Sequence, residues 1–205
     1  MPDFEYENKH EGFVCGIDEV GRGPLAGPVV AACVIIPHDQ RHHEFIKGIN
    51  NSKKLSKTKR LALSKLILSL FPSAIVEIAP EEIDRINILQ ASLLAMRKSC
   101  ERVNRSLKIS HALVDGNRCP ELPCPATPII KGDDRSLSIA AASIIAKVHR
   151  DTLMEKLAKD FPGYGWERNA GYPTSEHIAA LDQHGITIHH RRTFAPVKLR
   201  LKKIA

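Results

Sequence analysis

"GIDEVGRGPLAGPVV", residues 16–30, is the stretch whose reading decides the fold. Apolar residues flank two adjacent carboxylates, Asp18 and Glu19, and the loop Gly21-Arg22-Gly23-Pro24 follows at once. Two neighbouring charges in a segment otherwise suited to burial are costly unless something offsets them. "FVCGI" (13–17) and "PVVAACVII" (28–36) therefore read as two buried strands joined by a glycine-rich loop, with the acids at the end of the first.

Outward from there the pattern alternates. A helix is predicted over 57–71, with Leu63, Leu66, Ile67 and Leu70 on one stripe. "AIVEIA" (74–79) is a third strand, bracketed by Pro72 and Pro80. Ile86, Leu89, Leu93, Met96, Cys100 and Val103 step by three and four, which predicts one amphipathic helix. "HALVDG" (111–116) and "ATPIIKGDD" (126–134) are short apolar runs ending in acid. A helix is predicted from about 136 to 159, its small residues in "SIAAASIIAKV" allowing close approach to a sheet. The tail, 161–205, holds a short helix with Thr174 as N-cap and Gly185 just past its end. This order predicts an α/β or α+β sheet covered by helices.

Three apolar strands thus lead into carboxylates: Asp18 with Glu19, Asp115, and Asp133. Strand ends in a helix-covered sheet converge on one crevice. Gathered carboxylates repel, and a divalent cation removes the problem; all-oxygen ligands select Mg²⁺ or Mn²⁺ over zinc. Two such ions about 4 Å apart suit phosphodiester cleavage. Other readings stay open at this point. Asp115, before Gly116 and Asn117, also fits a plain turn residue. Asp18 and Glu19 point to opposite faces of a regular strand, so both serve one site only if the strand bulges or ends there.

Composition sets the setting. Hydrophobic residues at 43% and charged residues at 26% fit an ordinary soluble domain, and 205 residues suffice for one substantial core. No apolar run approaches the roughly 18 residues of a membrane helix. The polar start "MPDFEYENKHEG" carries no secretory signal, so the expectation is a cytoplasmic protein without membrane association. The five cysteines, with Cys119 and Cys124 not at zinc-knuckle spacing, read as reduced thiols. A net charge of +7 favours nucleic acid or another polyanion as partner. "SKKLSKTKR" (52–60) and "HHRRTFAPVKLRLKKIA" (189–205) hold much of that charge, although a solvated face explains such runs equally well.

"GIDEVGRGPLAGPVV", "SKKLS", "LVDGNRCPELP", "IIKGD", "SIAAASIIAKVHRD" and "GYPT" together resemble ribonuclease HII, the type 2 ribonuclease H, in order and spacing from about residue 12 to the TFAPVK block. The resemblance implies a ribonuclease H-like fold: a mixed five-stranded sheet flanked by helices, with a small C-terminal helical extension. It implies one domain over 12–205, with a catalytic core to about 160 and the helical part over 161–205. It further implies a metal-dependent monomeric endoribonuclease acting on RNA–DNA hybrids and on duplex DNA containing ribonucleotides. Cleavage would fall 5′ to the ribonucleotide and leave a 3′-hydroxyl and a 5′-phosphate, with two Mn²⁺ or Mg²⁺ ions.

Asp18, Glu19, Asp115 and Asp133 match the family's metal ligands, with Asp134 one register away from Asp133. Gly21, Arg22 and Gly23 match a loop that contacts the ribose 2′-hydroxyl through its backbone. Tyr172 matches a tyrosine packed on the sugar, and Pro173 biases it towards an extended backbone. Tyr164 and Trp166 read as core anchors. Lys53, Lys54, Lys147 and Arg150 match phosphate contacts, each equally readable as a solvated side chain. His149, His189 and His190 read as surface or packing residues. Asn51 stands where the family commonly has Asp, and Asn169-Ala170 where it has His-Lys. Rival readings are a non-catalytic nucleic-acid-binding module of the same fold and a phosphatase for small esters.

Overall fold

The computed structural model describes residues 1–204. β-Branched and other apolar residues build five strands: β1 (Val14–Val20), β2 (Val29–Ile35), β3 (Ser73–Ile78), β4 (His111–Asp115) and β5 (Ala126–Ile129). Their order is β3-β2-β1-β4-β5, which puts β1 at the centre. β1 runs antiparallel to β2, and β2 to β3, whereas β1, β4 and β5 are parallel. This is the mixed five-stranded sheet that the sequence resemblance implied.

Seven α-helices follow among the described residues: α1 (Lys57–Leu70), α2 (Pro80–Ile86), α3 (Ile88–Asn104), α4 (Leu137–Asp160), α5 (Trp166–Asn169), α6 (Ser175–His184) and α7 (Ala195–Ile204). Period-two alternation sends Cys15, Ile17, Ala31 and Cys33 to one face, where Ala91, Ala95, Met96 and Cys100 of α3 cover them. Val30, Ala32 and Val34 go to the other face, under Leu63 and Ile67 of α1 and Ala140, Ala141, Ile144 and Ile145 of α4. The first ten residues of α4, Leu137 to Ala146, are all buried, so this half of the helix shows no polar stripe. Gly16 makes the fit possible: a Cβ there would lie 2.1 Å from the Ser138 carbonyl carbon. A third cluster joins Leu25, Ala26 and Met154 to Tyr164, Trp166, Ala180, Leu181 and Val197 and fastens the C-terminal helices to the sheet domain.

Several boundaries differ from the sequence expectation, each for a local reason. β1 does not stop at Ile17 but pairs with β2 through Val20, because the ladder continues to Val30. The helix predicted from Ile86 to Val103 is two helices, broken at Asn87, whose φ of 68° cannot continue a right-handed helix. Leu66 and Leu70 of α1 are exposed, and Leu63 and Ile67 alone of the predicted stripe are buried. The tail holds three helices rather than one; Thr174 does cap α6, accepting from the His177 N–H, and Gly185 ends it with a positive φ. Before position 12, Pro2 and Glu7 are buried. Glu7 accepts from the Ser136 hydroxyl and the Ser138 N–H at the start of α4. Ala205 lies outside the described residues. All five cysteines are free thiols, and no helix among the described residues is long and apolar enough to cross a membrane.

Candidate active site

β1 carries the two acids into the site, and its unequal neighbours explain how both reach it. Towards β2 the ladder is regular through Asp18–Ala32 and Glu19–Ala31; towards β4 it ends at Ile17–Val114. The strand therefore neither bulges nor stops, but beyond Ile17 it has lost one neighbour. Asp18 shares the α4 face with Gly16 and, across the gap, Asp115, the last residue of β4. Glu19 leaves from the α3 face and turns over the open edge. Oxygens of Asp18, Glu19 and Asp115 come within 4.8 Å of one another. Glu19 and Asp115 border a crevice of about 340 Å³ lined also by Arg22, Ser92, Asn117 and Arg118.

Hydrogen bonds hold these carboxylates in place. Asp18 accepts the Glu19 N–H at 2.7 Å, and Asp115 accepts the Gly132 N–H at 2.6 Å. The second bond ties β4 to the turn Gly132–Asp134, which brings the fourth acid alongside. Asp133 is buried there, close enough for its charge and that of Asp115 to repel, but outside the group of three. Asp134, the less buried of the two, pairs with Lys54 at 2.5 Å.

Electrostatics shows the strain of this assembly. Burial pushes the Asp18 carboxyl well above the usual carboxylate range, and the charges of Glu19 and Asp115 add to the effect. Burial pushes Glu19 up to about 7, with Arg22 pulling against it and Asp115 reinforcing it. Asp133 is raised by burial and by Asp115, with Lys53 and Lys54 opposing. Left alone, Glu19 would be about half protonated at neutrality, and Asp18 and Asp133 are biased the same way. An all-oxygen donor set that destabilises its own charge fits a hard divalent cation of the Mg²⁺ or Mn²⁺ kind.

Beside the acids lies the Gly21–Gly23 loop. Arg22 turns its guanidinium to Glu19 at 3.6 Å. The Tyr172 ring, 40% exposed, stands over Gly23, where a Cβ would lie 3.4 Å from its Cε1. The turn below it is braced by Asn169 and Ala170, two of the three residues that depart from the resemblance. Asn169 is buried, donates to the Tyr164 carbonyl and accepts the Gly171 N–H; the Ala170 carbonyl accepts from Arg150. Asn51 likewise caps the Ser52–Lys54 turn by accepting the Lys53 N–H.

Arg150 is the clear correction among the predicted phosphate contacts. It is fully buried and donates to the carbonyls of Pro28, Ala26 and Ala170. Its position on α4 beneath the loop makes it part of the fold's interior, and a phosphate cannot reach it. Lys147 is half-buried and paired with Asp151 at 2.8 Å. Lys53 and Lys54 are exposed on the turn facing the acids. His149 pairs with Glu77, while His189 and His190 pack on aromatic rings.

Sequence reasoning missed Arg191, which is fully buried and donates to the carbonyls of Gly21, Arg22 and Gly27. Burial lowers the guanidinium of Arg150 to about 10 and that of Arg191 to about 9. The missing signal is understandable: their partners are main-chain oxygens, which leave no trace in a side-chain pattern, and "HHRR" reads as surface charge.

Comparison with known proteins places this geometry among others. The family model for ribonuclease HII matches residues 15–197. A ribonuclease HII of Paramagnetospirillum magneticum is 54% identical over 197 residues, covering 96% of this chain and 97% of the relative. One from Rhodospirillum rubrum is 52% identical over 208 residues, covering 100% and 94%. The crystal structure of ribonuclease H2 from Pyrococcus horikoshii superimposes with a TM-score of 0.72 at 25% identity, over 94% of this chain and 98% of that one.

Proposed function

The chain belongs to the ribonuclease HII family, and from that premise we propose how its own residues divide the work. It is a metal-dependent endoribonuclease that hydrolyses the RNA strand of RNA–DNA hybrids and cuts 5′ to single ribonucleotides in duplex DNA. The products carry a 3′-hydroxyl and a 5′-phosphate.

Asp18, Glu19, Asp115 and Asp133 are the proposed cation ligands, with Mn²⁺ or Mg²⁺, two ions in the active complex. The meeting of Asp18, Glu19 and Asp115 oxygens within 4.8 Å, from strands that are far apart in sequence, is the observation that carries this reading. When bound, the cations supply the positive charge that activates a water and stabilises the leaving oxygen. The remaining work falls to the protein. Asp115, fixed by the Gly132 N–H, and Asp18, fixed by the Glu19 N–H, give the donor set its geometry. Arg22 keeps Glu19 from turning outward. The Gly21–Gly23 backbone and the Tyr172 ring meet the ribose, whose 2′-hydroxyl distinguishes RNA from DNA. Lys53 and Lys54 are placed to meet phosphates, contacts that set register without reading sequence. Free thiols throughout support a reducing, cytoplasmic setting.

Asp115→Asn tests the assignment, since an amide keeps the volume and an acceptor oxygen but removes the charge. Cleavage of a single-ribonucleotide duplex is expected to fall to background in Mn²⁺ or Mg²⁺, with duplex binding unweakened. Full activity in this variant would remove Asp115 from the ligand set.

A further inference from the structure

Arg191 sits in an unusual place for a charge. It is fully buried, and among the described residues neither it nor Arg150 has a carboxylate partner in an ion pair. Every donor it uses goes to a carbonyl of one loop: Nη2 to Gly21 at 2.6 Å, Nη1 to Arg22 at 2.9 Å, and Nε and Nη2 to Gly27 at 3.0 Å. A buried guanidinium without a counter-ion is a destabilising choice, and a neutral side chain would fill the space at lower cost. What a flat fork of donors does, and few other groups can, is fix several peptide planes at once.

The orientation of those planes is the consequence. In a trans peptide the C=O and the following N–H point in opposite directions. With the Gly21 and Arg22 oxygens drawn inward, the amides of Arg22 and Gly23 point outward. Both residues are exposed, and among the described residues no acceptor meets either amide. Two consecutive outward N–H groups form a small concave nest for an electron-rich oxygen, and a cation behind the carbonyls polarises both. Gly21 allows the inner packing, since its φ is 93° and a Cβ would lie 2.3 Å from Arg150 Nε. The Tyr172 ring borders Gly23, and the Arg22 side chain is engaged with Glu19, so the main-chain amides are what this loop presents.

We infer that Arg191 is a positioning residue for ribose recognition, holding the Arg22 and Gly23 amides outward to donate to the 2′-oxygen of the substrate. The inference rests on the reading above that this loop meets the ribose. A deoxyribose offers no acceptor there, so the covered amides go unpaired, and discrimination follows from that penalty.

Binding measured in EDTA, so that no strand is cut, separates this from catalysis. The wild-type protein is expected to bind a duplex with one ribonucleotide about tenfold more tightly than the all-DNA duplex. Arg191→Lys keeps the charge and loses the fork; its ratio is expected to fall to within about twofold of one, with all-DNA affinity unchanged. A folded Arg191→Lys protein that keeps the wild-type ratio would overturn the inference. A wild-type ratio of one would instead overturn the loop's proposed role itself, a different failure. Should Arg191→Lys not fold, amide NMR of the wild-type protein decides. Arg22 and Gly23 proton shifts that move with the ribonucleotide duplex, and not with all-DNA, support the inference; equal movement with both refutes it.

Discussion

Trp166, His177 and His190 form a hydrogen-bond chain whose proton positions follow from its partners. The Trp166 indole N–H donates to His177 Nε2 at 3.1 Å, so that nitrogen is an acceptor. His177 Nδ1 must then carry the proton, and it donates to the Tyr172 carbonyl at 3.0 Å. His190 Nε2 donates to the same His177 nitrogen, and His190 Nδ1 accepts the Thr187 N–H. Both rings are therefore neutral, and a proton added to either would face a donor. Burial, with His177 and His189 beside it, lowers His190 to about 3. The folded value lies below the ordinary 6.5, so the stabilisation is whole above pH 6.5 and is lost as the solution is acidified towards pH 3. Between pH 6.5 and 4 this one ring is expected to cost about 3 kcal/mol of stability. Thermal melts of the wild-type protein and of His190→Gln across that range should show a flatter profile in the variant. At this scale the sequence was readable where chemistry is written in side chains: Asp18, Glu19 and Asp115 were expected to meet, and their oxygens do. It was opaque at Arg150 and Arg191, because bonds to carbonyls depend on where the chain returns, which no local pattern encodes.

Between α2 and α3 a single residue separates two elements that periodicity had fused. Asn87 takes φ 68° and accepts the Gln90 N–H, serving as N-cap of α3. Pattern reading failed there because apolar spacing of three and four persists across the break, while the backbone requirement at one position does not register in hydropathy. Asn87→Ala removes the cap and places a Cβ-bearing residue without a local hydrogen bond in the left-handed region. A loss of about 2 kcal/mol in urea denaturation is expected, and Asn87→Gly should lose less than half as much. The strand β1 teaches the opposite lesson. Its carboxylates were expected to require a bulge or an ending, and the ladder supplies an ending on one side only, at Ile17–Val114. Pairing partners are a property of the sheet, so the sequence posed the condition without showing how it would be met.

For the whole molecule, the formal charge of +7 is an overestimate of what a duplex would feel. Two of the positive charges it counts, on Arg150 and Arg191, are interior and cannot touch a phosphate. Duplex affinity should still fall with salt, as counterion release requires, and the log–log slope counts the phosphates actually neutralised. Fluorescence titrations from 50 to 300 mM KCl should give a slope that Lys53→Ala reduces by about one and Tyr172→Ala leaves unchanged. A flat response in the wild-type protein would move the contact face away from this surface. The mixed sheet and its helical cover were foreseeable from the order of elements; the C-terminal helices were less so, because they are held by the ring cluster of Tyr164, Trp166 and the histidines rather than by a repeating stripe.

Glu7 reaches from the first few residues to the amino end of α4, the longest helix, meeting the Ser136 hydroxyl and the Ser138 N–H. That end lies directly after the turn bearing Asp133, and from there α4 runs on past Ser143, whose hydroxyl bonds that of Ser52 and favours the charged form of Asp18. Trimming the leading decapeptide to tidy a recombinant product would thus unfasten the anchor of the helix that packs against β1 and the Asp133 turn, and whatever activity it impaired would look, misleadingly, like damage to the acids themselves.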